Sequence, residues 1–512
     1  MHGQTAAYNR TVKVFSQMQT RRDFLRTVGL ATAAGFAPRI GRAEPPSHPN
    51  ILYVFSDQHR AAAMGCYGNT EVNTTNFDAF AAQGARLDAA ISTTPVCCPH
   101  RACLMTGQYS HHHGMISNYL PIYPNAPCLA ETFRDAGYTT GYIGKWHLEF
   151  PVGDLHSGPG ASRRFGFDDY WRMAVEDKTH TYTDAYQYYD DDGVVHDSDT
   201  GKRQPVTMAD QAIAFIQGHA TEPTQPWLLM VGLGPPHTPF SSPLASNYPN
   251  PTLRPNVPGG EPASWAADVL DDYYGLIEEL DIQFGRILTA LAGSGLADNT
   301  IVVYSADHGE MLGSHGHRYK RWPYDYSAGV PFLIRYPGVI SAGSVLDDPF
   351  GTPDVYTTLA GLAGITIPAP TLAALDGADF SALLRGETST APRDYTYMAM
   401  VYGYVAHPGW RAIRTADYLY ARTVGGPWLL FDVKSDPLES NNLANQQSAR
   451  SLVQSLDAEL TTRMAELGDS WTIRSTADPD EIDKWKPGGH AATSHQFAGF
   501  DWPGRIVNGF EE

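Results

Sequence analysis

Between positions 97 and 107 the chain reads Cys-Cys-Pro-His-Arg-Ala-Cys-Leu-Met-Thr-Gly, so a potential nucleophile, Cys97, stands two residues before a proline and four before an arginine. Pro99 restricts the backbone at a turn. A helix predicted over Ala102 to Met105 would bring Cys97 near the positive end of a helix dipole, with Arg101 as the cation that holds the site together. Asp57-Gln58 and Asp307-His308 offer three oxygen donors and one imidazole. A set dominated by oxygen suits a hard divalent cation such as Ca2+, and the imidazole leaves Mn2+ or Mg2+ open. Beside a nucleophile, such a cation polarises an oxyanion and lowers the pKa of an attacking hydroxyl. In Gly144-Lys145-Trp146-His147-Leu148, alternation along an extended segment turns Lys145 and His147 to one side and Trp146 to the other, as a shared pocket requires.

These residues need a scaffold, and short apolar runs with β-branched or aromatic character supply it: Asn50 to Phe55, Thr139 to Ile143, Trp227 to Gly232 and Thr300 to Ser305. They are predicted to be buried strands. Helical spacing is best in Leu276, Ile277, Leu280, Phe284, Ile287, Leu288 and Leu291, ahead of Gly293 and Gly295. Strands alternating with helices predict an α/β sheet with helices on both faces, whose ligands bind beyond the carboxyl ends of the strands. Asp57-Gln58, Lys145 with His147, His237, and Asp307-His308 follow the four runs in turn. After about Arg385 the pattern changes to short strands at Tyr395 to Met400, Trp410 to Thr415, Tyr418 to Arg422 and Trp428 to Val433, then a helix through Ser448 to Leu467.

The Cys97 to Gly107 run resembles the sulfatase signature C-x-P-x-R-x-x-x-x-T-G, and the resemblance spans roughly Pro49 to Leu443. NILYVFSDQHR, from Asn50, is similar to the family's first strand and acidic pair, with Gln58 in place of the commoner second aspartate. YSADHGEMLGSHG, from Tyr304, is similar to its D-N/H-G segment, Gly144 to Leu148 to its G-K-W-H-L motif, and Pro235 to Pro239 to its P-H-x-P motif. The stretch Leu430 to Leu443 resembles a C-terminal segment to which we assign a structural role as a turn with local side-chain hydrogen bonds. The resemblance implies an alkaline-phosphatase-like fold: a large mixed sheet sandwiched by helices, with a smaller C-terminal α+β domain around a four-stranded antiparallel sheet.

It also implies that Cys97 is oxidised to formylglycine, whose hydrated aldehyde attacks sulfur and whose second hydroxyl, once deprotonated, expels sulfate. Asp57, Gln58, residue 97, Asp307 and His308 would hold the cation. Lys145 and Lys320 would contact the sulfate, and with Arg101 stabilise its charge; His147 would serve as base, and His237 would protonate the leaving oxygen. Around Lys320 the chain departs from the family pattern. Asp325 replaces a glutamate and Gly329 an arginine, so the ion pair between those two is lost, and Arg318 and Arg321 compete for the sulfate contact. The run His111 to His113 invites a metal assignment, but consecutive residues do not share a face, and a structural role is expected.

With 512 residues, 42% of them hydrophobic, the chain can bury a large core. A formal charge of −19 without any basic stretch argues against nucleic acid, so a sulfated substrate needs a local basic pocket. Five cysteines form no disulfide framework, although one bridge involving Cys66 or Cys128 stays open. Thr20-Arg21-Arg22-Asp23-Phe24-Leu25-Arg26, the apolar Val28 to Ala37 and Gly41-Arg42-Ala43 resemble a twin-arginine export signal, with Met1 or Met18 as the start. The apolar part is too short to span a bilayer, so no stable membrane insertion is expected.

The expected organisation is a signal peptide over 1–43, a catalytic domain over 44–385, a small α+β domain over 386–468 and an irregular arm over 469–512. The expected function is hydrolysis of sulfate monoesters by a periplasmic or secreted enzyme, on a sulfated small molecule or polysaccharide, after maturation by a formylglycine-generating enzyme and passage through the twin-arginine machinery. Tyr119, Trp171, Tyr182, Tyr186 and Trp322 are candidates to line a carbohydrate subsite. The alternatives are an arylsulfatase, a phosphonate or phosphate ester hydrolase of the same superfamily, and a non-catalytic protein that binds sulfated glycans.

Overall fold

All eight residues of strand β1 (Asn50–Asp57) are buried, and its side chains alternate between two cores. Ile51, Tyr53 and Phe55 enter one, Leu52 and Val54 the other. A strand covered on both faces has no polar side to show, which is why β1 reads as an unbroken apolar run. In the computed structural model, β1 pairs in parallel with β8 (Trp227–Pro236) and β9 (Thr300–Ala306), and β4 (Thr139–Gly144) lies parallel beyond β8. The four predicted strands are therefore the centre of the sheet. They lengthen by a residue or more at their carboxyl ends, toward the polar clusters.

The structure describes residues 48–118, 122, 126–148, 163–175, 178–180, 182, 183, 185–401 and 409–471, with the backbone of 500, 501, 505 and 506. The described residues belong to one compact unit, Pro46–Glu512. The twin-arginine segment, Tyr119 and most of the 469–512 arm lie outside the described residues.

On one side of the central strands come β10 (Phe332–Arg335), antiparallel to β9, then β2 (Ala85–Leu87) and β11 (Ser344–Leu346). On the other come β5 (Tyr170–Ala174), parallel to β4, and the antiparallel β6 (Gln187–Tyr189) and β7 (Val195–Asp197). The result is a ten-stranded mixed sheet of order β11-β2-β10-β9-β1-β8-β4-β5-β6-β7. Helices cover both faces. Glu261–Gly293 and Gln204–His219 pack Leu280, Phe284, Met208 and Phe215 on one; Cys97–Thr106 and Leu129–Asp135 pack Ala102, Leu104 and Phe133 on the other. The Glu261–Gly293 helix starts well before the apolar repeat, at a glycine-proline entry, and stops at the predicted glycines.

A second, four-stranded antiparallel sheet runs β13 (Tyr395–Met400), β14 (Trp410–Thr415), β15 (Tyr418–Thr423) and β16 (Gly426–Asp432). The helix Arg450–Glu466 lays Leu456, Leu460 and Met464 on one face of it. Its other face packs Met398, Trp410 and Phe431 against Met311, Trp322 and Tyr324, in the segment that carries Lys320. All five cysteines are free, which removes the bridge left open for Cys66 or Cys128. Among the described residues no helix is long and apolar enough to cross a membrane.

Candidate active site

Four adjacent parallel strands deliver four polar groups to one edge of the sheet. Asp57 ends β1, Asp307 follows β9, His237 follows β8, and Lys145 follows β4. Gly144 makes the last of these possible. Its φ of 96° suits a residue without a β-carbon, and such a carbon would lie 2.2 Å from the Gly232 carbonyl oxygen that accepts from Lys145 N.

Cys97 joins them as the first residue of the Cys97–Thr106 helix. This corrects the prediction of a helix that begins after Pro99. A proline within the first turn has no helical hydrogen bond to lose, so Pro99 marks the start of the helix and not a break before it. Cys97 therefore sits where the helix N–H groups point.

Around Cys97 the contacts close into a cluster. Its Sγ lies 3.3 Å from His308 Nε2, 3.7 Å from Asp57 Oδ1 and 3.3 Å from the Lys320 ammonium. Lys320 Nζ also donates to Gln58 Oε1 at 3.1 Å and faces His237 Nε2 at 2.8 Å. Lys145 Nζ donates to Asp57 Oδ2 at 2.6 Å. Arg101 donates through Nε and Nη2 to Asp307 Oδ2 at 3.2 and 3.0 Å, and through Nη1 to Lys145 O at 2.7 Å. Its guanidinium is thus a brace between the two carboxylates and the Lys145 backbone. Buried His147 stands two residues beyond Lys145 with a φ of 56°, so the chain turns there and the segment does not continue as a strand.

The charges are balanced against burial. Burial opposes ionisation of Asp57, yet the ammonium of Lys145, with His237 and Lys320, holds its carboxyl well below the usual range. Burial and the charge of Asp57 push Asp307 up. For Cys97, burial and Asp57 oppose the thiolate, but Lys145, Lys320 and His308 bring the thiol well below its ordinary value. An anionic group at this position is thus stabilised.

Asp57, Cys97, Asp307 and His308 each offer a ligand atom, all within 4.8 Å of one another and all buried. Two facing carboxylates, one of them raised by the other, form a donor set that a divalent cation fits. Gln58 stands beside this set. Its backbone N–H donates to Asp307 Oδ1 at 3.0 Å, its side-chain nitrogen to Glu310 at 2.6 Å, and its side-chain oxygen accepts from Lys320.

His180 and Glu310 escaped the sequence reading. His180 Nε2 lies 2.9 Å from Lys145 Nζ, and its ring stacks on that of His237, centroids 3.8 Å apart and planes 9° from parallel. Asp57, His180 and His237 are also close enough to share an ion. With Lys145 and Lys320 standing against them, however, that side of the cluster suits an anion. Glu310 is buried and ties Gln58 to the backbone N–H groups of Leu312 and Tyr319, and so to Lys320.

Other predicted residues take framework positions. Trp171 and Tyr186 are core residues, and the Tyr182 hydroxyl donates to the carbonyls of Gly234 and His237 at 3.0 and 2.7 Å. Trp322 is buried and stacks on His317. His113 Nε2 meets Cys103 Sγ at 3.3 Å, and His112 bonds Asp376. Asp325, without its family partner at position 329, pairs with Arg414 of β14 at 3.2 and 3.0 Å, while buried Glu439 accepts from Asp325 N. The Leu430 to Leu443 segment therefore also makes a long-range contact, beside local bonds such as Asp436 to Asn441 N.

Comparison with known proteins agrees with this geometry. The Sulfatase family profile matches residues 49–365, and the profile for the C-terminal part of N-sulphoglucosamine sulphohydrolase matches 313–466. The chain is 37% identical over 447 residues to an ulvan-active sulfatase of Formosa agariphila, covering 85% of this chain and 84% of that one. It is 31% identical to an endo-4-O-sulfatase of Bacteroides thetaiotaomicron, covering 84% and 94%. A solved structure described as a complex with its substrate, D-glucosamine-2-N,6-O-disulfate, superposes with a TM-score of 0.70 at 25% identity, covering 85% and 99%. The cluster at the carboxyl edge of the sheet and these matches together make the chain a member of the sulfatase family of hydrolases.

Proposed function

We propose that the protein hydrolyses sulfate monoesters on a sulfated carbohydrate, with the nucleophile made from Cys97. The observation that carries this is the placing of Cys97 Sγ between the His308 imidazole, the Lys320 ammonium and the Asp57 carboxylate, at the first turn of a helix. A formylglycine there, hydrated by one water to a geminal diol, would supply one hydroxyl to bond sulfur as the bond to the carrier oxygen breaks, and a second whose deprotonation would release sulfate and restore the aldehyde. Asp57, Gln58, residue 97, Asp307 and His308 are the residues that would hold a divalent cation, of which Ca2+ suits the oxygen-rich set best; it would polarise a sulfate oxygen. Lys145 and Lys320 bind the sulfate oxygens, His237 passes a proton to the leaving oxygen, and His147 accepts the proton of the second hydroxyl.

A carbohydrate carrier is supported by relatives named for ulvan and for endo-4-O-sulfatase activity and by the structural neighbour with a sulfated glucosamine. The Arg21-Arg22 segment supports export to the periplasm or beyond through the twin-arginine machinery, with Cys97 converted by a formylglycine-generating enzyme. Natively matured protein is assayed for sulfate release from sulfated saccharides, aryl sulfates and a matching aryl phosphonate. The expected result is fastest release from a saccharide and none from Cys97→Ala, which stays folded. Faster turnover of the phosphonate, or full activity in Cys97→Ala, overturns the reading.

A further inference from the structure

The side chains of Asp57, Lys145, Arg101, Asp307 and His308 are fully closed off, whereas that of His180 is 19% exposed. His180 thus stands at the mouth of the anion pocket, where the carrier of a bound sulfate must lie. Its Nε2 faces the Lys145 ammonium and accepts from it, so the ring proton sits on Nδ1. His237, stacked beneath it, has the same arrangement: Nε2 faces Lys320, and Nδ1 is 2.7 Å from Thr238 O. There the likeness ends. Among the described residues nothing accepts from His180 Nδ1, and that atom is not one of the buried polar atoms left without a partner. It is a donor open to solvent beside the sulfate pocket.

We propose that His180 binds the substrate's carrier: Nδ1–H donates to an oxygen next to the sulfated one, a hydroxyl or carboxylate of a sugar, while Lys145 stays held by Asp57 at 2.6 Å whatever stands at position 180. The inference rests on the sulfatase reading and adds a preference for a polyhydroxyl carrier. A donor at the mouth of the pocket selects a neighbouring oxygen, which a plain aryl ester does not offer.

The test compares His180→Phe, which keeps a flat ring on His237 and loses both nitrogens, with His180→Asn, whose amide nitrogen takes the place of Nδ1. The substrate is the best-hydrolysed sulfated mono- or disaccharide of the panel, and inorganic sulfate, which has no carrier, is the competitive inhibitor. For His180→Phe, KM for the saccharide is expected to rise about tenfold, the worth of one hydrogen bond, with Ki for sulfate and kcat within about threefold of wild type. His180→Asn is expected to bring KM back to within about threefold. Thermal unfolding of both variants checks that they are folded. A KM and Ki that rise together, an Asn variant no better than Phe, or an unchanged Phe variant overturns the assignment. If the wild type releases no sulfate from any saccharide, the carbohydrate reading itself fails, and the assignment falls with it.

Discussion

Lys320 Nζ lies 2.8 Å from His237 Nε2, and the other nitrogen of that ring lies 2.7 Å from the carbonyl oxygen of Thr238. The ring therefore holds its proton on Nδ1 and accepts at Nε2, and burial together with Lys320 keeps its pKa below the ordinary histidine value. In the mechanism proposed above, the proton destined for a leaving oxygen starts on this lysine–histidine pair. His237→Ala should lower kcat on a sugar sulfate by about 10²–10⁴, and far less on 4-nitrophenyl sulfate, whose phenolate leaves unprotonated. Lys320→Met should impair both substrates, because the ammonium lies 3.3 Å from Cys97 Sγ and is the proposed sulfate contact. Steady-state assays on the two esters check this; an equal loss for His237→Ala on both removes His237 from proton transfer.

Chelation should lower both activity and Tm. Asp57 and Asp307 face each other in a buried site, and a cation that binds only the folded state stabilises it by mass action, about 2.7 kcal/mol at a free concentration one hundred times its Kd. Re-addition of Ca2+, Mg2+ and Mn2+ in turn, followed by differential scanning calorimetry and sulfate release, identifies the ion. A Tm that is indifferent to chelator argues that these carboxylates hold no metal.

Gly144→Ala should be among the most damaging substitutions remote from any proton transfer. The residue has a φ of 96°, and its new methyl group would meet Gly232 O at 2.2 Å, the acceptor for Lys145 N. Strain of this kind costs about 1–3 kcal/mol even before the clash is relieved, and relief moves Lys145. Urea unfolding should report the lost stability, and kcat/KM should fall in the fraction that remains folded. A variant with wild-type values on both counts would show that the strand end adapts freely.

The pH dependence of stability should carry the signature of His112. Its Nδ1 lies 2.9 and 2.8 Å from the two oxygens of Asp376, and its Nε2 2.8 Å from Leu467 O, so only the protonated ring satisfies both sides. The hydrogen bond to Asp376 raises its pKa above 6.5 against the effect of burial, with Asp469 adding to the rise; His111 also faces Leu467 O. A group raised on folding contributes fully below its unfolded value and loses that contribution as pH climbs through its folded value. The Tm gap between wild type and His112→Gln should therefore narrow as pH rises from about 6. A gap constant over that range, in a melting series, contradicts the assignment.

Asp57, Lys145, His237 and Asp307 were legible because each closes an apolar run, and a buried parallel strand has to be apolar until the edge where it meets its ligand. The whole second sheet was legible for a related reason: β13 and β14 have the predicted bounds. His180 was not. It lies in Lys178-Thr179-His180, a segment without strand or helix periodicity, and only the tertiary arrangement lays its ring on His237. The Asp325–Arg414 pair was hidden in the same way, since 89 residues separate its members. The start of the Cys97 helix is hidden by Pro99, since a proline marks a helix boundary in sequence while the first turn has no use for the N–H it lacks.

The second sheet reaches both sides of the reactive centre. The Trp410 indole donates to Arg321 O at 3.0 Å, one residue from Lys320, and Ala399 N donates to Thr93 O at 2.9 Å, four residues before Cys97. A polypeptide ending ahead of β13 would keep every group to which chemistry is ascribed, yet the stretch before Cys97 and the one around Lys320 would each lose a backbone tether. The C-terminal portion thus buttresses the reactive edge from both flanks while supplying none of its side chains.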